Sequence, residues 1–349
     1  MKHSVIPAST FRTLIKPALL LLALAITPFT NTYVHAAAMP VNVCVFDPLG
    51  QAGPIYQAFL DYKSEALKWN ADLKLAVYPD ESVAAAEFKA GRCDLVSLSD
   101  LTARNFNSFT GSVNSIGAIP TYKHLKIILD TLQSPKAAKY MRDGEYEIVS
   151  IIPGGAVFMF VNDKNINSVE KLAGKKLAVL DNAPEMQYLA QKVGMTPVGA
   201  SYLDVFSKWN NGSVDAAAAP GIVYEPVEMK KGLGEDGGII QWPLIQVTQQ
   251  MVARWEKIPE GFGQASRDYS SKQFDYAINF ITTQEKNIPE KYWVNIDAKI
   301  KDTWKETFRQ SRLALRDRNI YNGKMLTLMR KVRCNLEPSA TECSAEDKE

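Results

Sequence analysis

The chain has 349 residues, of which 46% are hydrophobic and 22% charged, a composition typical of globular proteins. The length favours two domains, because a single hydrophobic core rarely grows beyond about 250–300 residues. Three of the 40 basic residues, Lys2, Arg12 and Lys16, fall within residues 1–36, a segment that contains no Asp or Glu. The rest of the chain has 37 basic and 38 acidic residues. A mature charge of −1 argues against nucleic-acid binding, which needs a basic surface.

Residues 1–36 have the three parts of a secretory signal peptide. A basic start is followed by the nine apolar residues Ala18–Ile26 and by the small-residue stretch Val34–Ala38. Nine residues are too few to cross a bilayer core of about 30 Å as a helix. We expect cleavage after Ala36, with Ala38 as the alternative, no lipid anchor because no Cys lies nearby, and a periplasmic mature protein.

Cysteine and histidine counts narrow the chemistry. The chain has four cysteines, an even number, which in an oxidising compartment can all form disulfides. Three different pairings are possible. We favour Cys44–Cys93, on neighbouring strands, and Cys334–Cys343, which closes a short loop; four reduced thiols are the alternative. His124 is the one histidine outside the signal segment, and we expect it to pack before a strand-like run, Leu125–Leu129. The sequence predicts no enzyme, metal site or cofactor, since catalytic and metal motifs are missing.

The first half after the signal predicts alternating strands and helices. A strand over 41–46 precedes a turn and Pro54, which suits a helix N-terminus. Further strands are expected over 73–77 and 93–98, with Asp80 or Ser82 capping the helix between them. This order implies a parallel sheet, in which ligands bind beyond the carboxyl ends of the strands.

The second half repeats this pattern. Strands are predicted over 176–180 and 216–219, with helices that end at Gly194 and Gly212. A short motif occurs in both halves, an aromatic residue followed by Gly and Asp at the same spacing: Phe88-x-x-Gly91-x-x-Asp94 and Trp209-x-x-Gly212-x-x-Asp215. The repetition predicts two lobes of one architecture.

The remainder of the chain is predicted to be helical. Phe274, Ala277, Phe280 and Ile281 fit one amphipathic helix, and Ile300, Trp304 and Phe308 fit another. The stretch from Lys305 to Arg333 is basic. We expect a solvated helix face there, partly offset by acidic residues of the tail such as Glu342.

These features resemble a known family. The segments SVEKLAGKKLAVL, from Ser168, and VGMTPVGASYLDVFSKWNNGSVDAAAAP, from Val193, are similar to receptors of tripartite ATP-independent periplasmic (TRAP) transporters, as is QQMVARWEKIP, from Gln249. The resemblance implies a two-lobed, type II periplasmic-binding-protein fold. The chain is also similar to exported proteins labelled as RND-type efflux components tied to aminoglycoside resistance.

One departure from the TRAP pattern bears on the ligand. In that family an Arg of the strand that matches 176–180 clamps the carboxylate of the ligand, and the matching residue here is Ala178. We therefore expect a neutral or cationic ligand rather than a carboxylate, or a cleft that no longer binds a small molecule. Carboxylate binding that depends on a cleft arginine such as Arg104 would contradict this expectation.

Candidate ligand-binding residues follow from the strand ends. They are polar or conformationally permissive residues expected to face the cleft: Asp47, Ser97, Ser99, Asp100, Gly154, Asp181, Asn182, Glu185 and Tyr224. We expect lobe I to comprise residues 37–152 and 247–349, with C-terminal helices, and lobe II residues 153–246. The predicted function is a periplasmic solute receptor for an inner-membrane transporter; an accessory protein of drug efflux, binding a cationic compound or a partner protein, is the alternative.

Overall fold

A computed structural model of the chain describes residues 37–349, so that the predicted signal peptide, residues 1–36, lies outside the described part. Residues Ala38–Glu349 belong to one structural unit. Lobe I begins with alternating elements: β1 (Met39–Phe46), α1 (Pro54–Leu67), β2 (Ala71–Tyr78), α2 (Glu81–Lys89) and β3 (Leu95–Ser99). Helices and two antiparallel strands follow: α3 (Asp100–Ala103), α4 (Tyr122–Gln133), α5 (Ala138–Met141), β4 (Arg142–Asp143) and β5 (Tyr146–Val161).

Lobe II carries a second alternating set, and the chain ends in helices. The second set consists of β6 (Lys176–Leu180), α6 (Pro184–Lys192), β7 (Thr196–Ala200), α7 (Tyr202–Asn210), β8 (Ala216–Pro220) and α8 (Lys230–Leu233). The remaining elements are β9 (Gly238–Arg254), α9 (Phe262–Lys272), α10 (Phe274–Glu285), β10 (Trp293–Val294), α11 (Ala298–Asp317), α12 (Gly323–Leu336) and α13 (Thr341–Ser344). Within residues 37–349 no helix combines the length and apolarity that a membrane span needs.

Two long strands join the lobes. The sheet order is β2-β1-β3-β9-β5-β8-β6-β7, with β2, β1 and β3 parallel in lobe I and β8, β6 and β7 parallel in lobe II. Between them β5 and β9 pair antiparallel from Tyr146 opposite Arg254 to Val161 opposite Gly238. Their register shifts three times, and one of the shifts lies between Pro153 and Gly155. This architecture confirms the predicted two-lobed α/β fold with a parallel core in each lobe.

Alternation along β1 explains how lobe I is layered. Val41, Val43 and Val45 are fully buried in a cluster with residues of α1 and α9, whereas Cys44 and Phe46 belong to the cluster on the other face. Successive side chains of a strand point to opposite faces, so that helices cover both faces of this sheet.

The repeated motif occupies equivalent positions in the two lobes. Its aromatic residue is fully buried and its glycine has a φ of +74° in each copy. The Asp94 carboxylate accepts a hydrogen bond of 2.9 Å from the backbone N–H of Asn42 in β1. Asp215 accepts one of 2.8 Å from the backbone N–H of Lys176 in β6. The motif thus performs the same task twice, since it ends a helix and ties the next strand to its parallel neighbour.

Both predicted disulfides are confirmed. Cys44, in β1, is bonded to Cys93, just before β3, with a Cα–Cα distance of 5.8 Å. Cys334, in α12, is bonded to Cys343, in α13, at 5.6 Å.

The strand predicted over Leu125–Leu129 was wrong. These residues lie in α4, whose first turn is capped by the Thr121 hydroxyl, an acceptor for the His124 backbone N–H at 3.4 Å. Apolar side chains spaced for a helix, Leu125, Ile128, Leu129 and Leu132, are buried along it. His124 is 5% exposed, as expected for a packing residue.

The predicted solvated basic face was wrong at two of its arginines. Arg312 and Arg333 are 2% and 4% exposed and form ion pairs with Glu342 and Glu349. Basic residues at helical spacing are not all solvated when carboxylates elsewhere in the chain fold against them. The expected offset by the acidic tail is confirmed at Glu342.

Candidate ligand-binding site between the lobes

Several predicted residues meet where the carboxyl ends of the strands face each other across the lobes. Asn182, after β6, donates from Nδ2 to the Thr102 hydroxyl of lobe I at 3.3 Å. The Phe46 ring, at the end of β1, packs edge-to-face on Tyr202 of lobe II, with centroids 5.8 Å apart. Such contacts require the lobes to be closed on each other.

Asp100 begins α3 and is completely buried at this junction. Its carboxylate accepts hydrogen bonds from the Thr248 backbone N–H at 2.6 Å, the Thr248 hydroxyl at 2.9 Å and Asn114 Nδ2 at 3.0 Å. Burial raises the pKa of Asp100 to about 7, against the effect of those hydrogen bonds and of the Arg104 charge. Asp100 therefore changes charge near neutral pH.

Arg104 of lobe I and Glu185 of lobe II form a two-point ion pair across the junction. Arg104 Nη2 lies 2.7 Å from Glu185 Oε1, and Nη1 lies 3.1 Å from Oε2. The Arg104 side chain is 12% exposed and that of Glu185 is fully buried. Burial opposes the charge of Arg104, but the hydrogen bonds and charge of Glu185 outweigh it and raise its pKa above the usual value. The Arg104 guanidinium is therefore already neutralised by a carboxylate of the same chain, that of Glu185.

Glu81 is a cleft residue that the sequence analysis missed. Its Oε1 accepts a hydrogen bond of 2.5 Å from the backbone N–H of Ser99, and burial raises the pKa of its carboxyl. Tyr202 has its pKa raised to about 12 by burial and by the charges of Glu81 and Asp47. An acidic residue in the first turn of a helix is common on solvated helices as well, so the sequence carries no signal for this position.

Asp47 lies at the junction but is engaged by its own lobe. Its carboxylate accepts hydrogen bonds from the backbone N–H groups of Leu49 at 2.9 Å, Ile55 at 2.9 Å and Tyr56 at 3.0 Å. It thereby satisfies the open N-terminus of α1. A Cβ at Gly53 would lie 1.9 Å from Asp47 Oδ1, so that glycine is required for this close approach. Asp47 contributes negative charge to the cleft rather than free acceptor capacity.

The other predicted residues are dispersed. Ser97 is buried and its hydroxyl accepts from Gln249 Nε2 at 3.0 Å, between β3 and β9. Gly154 lies at the β5 bulge, where a Cβ would be 3.2 Å from Val247. Asp181 is exposed at the end of β6. Tyr224 is 3% exposed within the hydrophobic cluster of lobe II, where burial raises its pKa to about 12. The assignment of these residues to a ligand site stays a prediction.

One face of β9 lines the same junction with polar side chains. Gln246, Thr248 and Gln250 alternate along the strand and are all buried. Gln250 Nε2 donates to the Thr110 carbonyl at 3.0 Å and to the Thr248 hydroxyl at 3.2 Å. The amide oxygens of Gln246 and Gln250 have no hydrogen-bond partner among the described residues. Each of these oxygens therefore has unused acceptor capacity.

Ala178 offers neither charge nor hydrogen bond to this junction. It is 1% exposed in β6 and belongs to the hydrophobic cluster of lobe II, together with Phe206 and Trp209. Apolar packing occupies the position where the resemblance would have put an arginine.

Two closed lobes with a buried polar layer between them define a solute-binding protein of the periplasmic-binding-protein type. Similar folds are found in TRAP periplasmic solute-binding proteins. One from Desulfovibrio salexigens with bound orotic acid has a TM-score of 0.70 at 10% identity, covering 85% of this chain and 99% of that chain. Another, from Haemophilus influenzae with bound L-gulonate, has a TM-score of 0.69 at 13% identity, covering 84% and 99%.

Sequence comparison identifies the family. The family model described as solute-binding protein AdeT 1/2 matches residues 63–348, and the chain belongs to this family. It is 38% identical to "Probable solute-binding protein AdeT1" of Acinetobacter baumannii over 303 residues, 87% of this chain and 100% of the relative. It is 27% identical to "Probable solute-binding protein AdeT2" of the same organism over 233 residues, 67% of this chain and 98% of the relative. The comparisons support the receptor interpretation rather than the efflux alternative.

Proposed function

We propose that the chain is an exported receptor that captures a neutral or cationic solute between its lobes and delivers it unchanged to an inner-membrane transporter. Residues 1–36 would direct export and be removed after Ala36. Membership of a solute-binding family and the two-lobed fold support this role. Lobe closure about the paired strands β5 and β9 would trap the solute, as in other hinge-closing receptors.

The distribution of charge at the junction is the main support for a neutral or cationic ligand. The Arg104 guanidinium is paired with Glu185 at 2.7 and 3.1 Å, and elsewhere in the junction the carboxylates of Glu81 and Asp47 act on Tyr202. A ligand carboxylate would meet uncompensated negative charge there, whereas an ammonium group would be attracted.

The uncharged groups of the junction favour the same class. The amide oxygens of Gln246 and Gln250 are acceptors without partners among the described residues, and both side chains are nine-tenths or more buried. The Phe46 and Tyr202 rings could face a cation at close range. A small solute with several N–H or O–H donors suits this set best.

Thermal melting of the mature protein, from Ala37 onward, tests the ligand class. The panel contains carboxylates, neutral polyols, polyamines and aminoglycosides at equal ionic strength. A ligand at about 100 times its Kd adds roughly 2.7 kcal/mol, which raises the Tm by a few degrees. We expect shifts with amines or polyols. A shift only with carboxylates would contradict the proposal, and a shift with aminoglycosides would identify a cationic drug as a ligand.

Matched variants of helix α2 locate the effect. Glu81→Gln removes a junction carboxylate, whereas Glu87→Gln removes one that pairs with Arg92 at the other end of the same helix. An amine response should be weaker in the first variant and unchanged in the second. Mass spectrometry of the periplasmic protein should find Ala37 as its first residue, and the solute should be recovered chemically unchanged after incubation.

A further inference from the structure

In the ion pair between Arg104 and Glu185, the arginine has several further contacts within its own lobe. Besides Glu185, the guanidinium donates from Nε to the Gly111 carbonyl at 3.2 Å and from Nη2 to Asn114 Oδ1 at 2.7 Å. The aromatic ring of Tyr321 lies 5.6 Å from its central carbon. Lobe I alone therefore fixes the position of this guanidinium, before any partner arrives from lobe II.

A guanidinium fixed in this way is a prepared receptor for a carboxylate. Its two outer nitrogens match the two oxygens of a carboxylate, and this two-point contact is among the strongest hydrogen-bonding arrangements in proteins. The approach of the Gly111 backbone is so close that a Cβ there would lie 2.4 Å from Arg104 Cα. Glycine at this position lets the loop wrap around the arginine.

Glu185 fills that receptor from the other lobe. It lies in the first turn of α6, and its carboxylate is fully buried when the lobes are closed. Opening the lobes must separate the two residues, because they sit on elements of different lobes. Closing them must return the Glu185 carboxylate to Arg104 at the high effective concentration of an intramolecular partner.

We propose that Glu185 is a specificity-determining residue: its carboxylate occupies the Arg104 site in the closed protein, which excludes carboxylate-bearing solutes and lets the lobes close without an anionic ligand. This inference rests on the proposed function, in that the junction is taken to be the solute site. It adds that a carboxylate site exists in this chain and is blocked by the chain itself.

Chemical rescue of Glu185→Ala tests the proposal. The substitution removes the carboxylate and leaves a space beside Arg104 that formate, acetate or propionate can enter. We expect the variant to melt several degrees below the wild type in chloride and to regain stability with increasing acetate. Neither the wild type nor the lobe II surface variant Glu170→Ala should respond to acetate at the same ionic strength. The double variant Arg104→Met/Glu185→Ala should also not respond.

A second variant keeps the test decisive where Glu185→Ala does not fold. Glu185→Gln keeps the side-chain volume and one acceptor oxygen but loses the charge. Carboxylate-bearing solutes should therefore displace the glutamine from Arg104, at higher concentrations than Glu185→Ala requires. Absence of a carboxylate response in every folded Glu185 variant would overturn the proposal, as would a millimolar carboxylate response of the wild type that Arg104→Met abolishes. If rescue succeeds while the wild type binds no solute, the blocked site stands and the receptor function fails.

Discussion

Arginine–glutamate ion pairs are buried in several regions of the described residues, and two of these regions are built differently. Between the lobes one arginine, Arg104, meets one glutamate, Glu185. In the C-terminal helices Arg312 and Arg333 share two glutamates. Arg333 contacts Glu342 at 2.6 and 2.7 Å and Glu349 at 2.7 Å, and Arg312 Nε contacts Glu349 at 2.7 Å.

The difference lies in what can separate the partners. The four residues of the C-terminal cluster come from α11, α12, α13 and the last position of the chain, and the disulfide Cys334–Cys343 ties α13 to α12. Its arginines also donate to carbonyls of one loop, Arg312 to Ile116 and Arg333 to Ala118, both at 2.8 Å. Lobe motion would not separate the partners of this cluster, whereas the proposed opening of the cleft would separate Arg104 from Glu185. On that proposal, one buried ion pair is structural and the other is conditional on lobe closure.

The largest effect is expected from breaking the C-terminal cluster. Arg312→Met keeps most of the side-chain volume but leaves Glu349 with one arginine in a buried site. Losing one partner of a buried ion pair typically costs about 3–5 kcal/mol. Urea denaturation at pH 7 measures the loss of unfolding free energy. Lys305→Ala on the same helix, whose side chain is 53% exposed, should change it by less than about 0.5 kcal/mol. A loss below about 1 kcal/mol for Arg312→Met would mean that the cluster is not structural.

Removal of the tail disulfide should have the next largest effect. The double variant Cys334→Ser/Cys343→Ser opens a loop with a sequence separation of 9, which costs about 2–3 kcal/mol by loop entropy. Guanidinium denaturation measures this loss. Small-angle scattering should find the radius of gyration unchanged, because the interlobe pair does not depend on the tail. A more open protein would show that the two regions are coupled.

The sequence allowed much of the fold to be predicted, because local rules decide it. The strand over 176–180 and the Pro54 helix start were correct, and the repeated Gly–Asp motif identified equivalent positions in both lobes. The expected lobe boundaries, after residues 152 and 246, fall within the long strands β5 and β9, but neither strand was predicted at its full length. They are buried over most of their length, and their pairing spans about a hundred residues of chain, so that neither alternation nor a short turn marks them.

The candidate site was predictable only in part. Glu185 and Asp100 were found because they follow predicted strands, and Arg104 was recognised as a cleft arginine. Their pairing could not be foreseen, since Arg104 and Glu185 are 81 residues apart and no spacing rule links them. The prediction that Arg312 and Arg333 are solvated was wrong for the same reason, because their burial depends on carboxylates that fold back from elsewhere in the chain.

The two regions should respond oppositely to pH, which gives the third prediction. Burial raises the pKa of Asp100 to about 7, so the folded state holds one more proton than the unfolded state between about pH 4 and 7. Stability from this group falls as pH rises, by about 1.4 kcal/mol per unit, or about 2 kcal/mol from pH 5 to 6.5. Burial opposes ionisation of Glu342, but Arg333 outweighs it and holds the pKa of Glu342 below the usual value. Its contribution is lost instead as the pH falls.

Denaturation curves at several pH values separate the two effects. Asp100→Asn should flatten the decline of stability between pH 5 and 7, and Glu342→Gln should reduce the loss on the acid side. In Glu185→Ala the charge of Arg104 is uncompensated, so the Asp100 decline should move to lower pH. An unchanged slope in Asp100→Asn would assign the decline to other buried acids, such as Glu81 and Glu285, whose pKa values are also raised by burial.

The smallest effect is expected at the contact between the two regions. The Tyr321 ring packs against the guanidinium of Arg104. The Tyr321 hydroxyl accepts a hydrogen bond of 3.3 Å from the backbone N–H of Ile116, and the Ile116 carbonyl accepts one from Arg312. Tyr321→Phe keeps the ring and removes one buried hydrogen bond, which costs about 1 kcal/mol. Amide exchange at Ile116 should accelerate, and the control Tyr276→Phe, at a residue 74% exposed, should change nothing. Acceleration extending to both arginine regions would mean that Tyr321 transmits lobe closure to the C-terminal cluster, whereas a change confined to Ile116 would keep the two regions energetically separate.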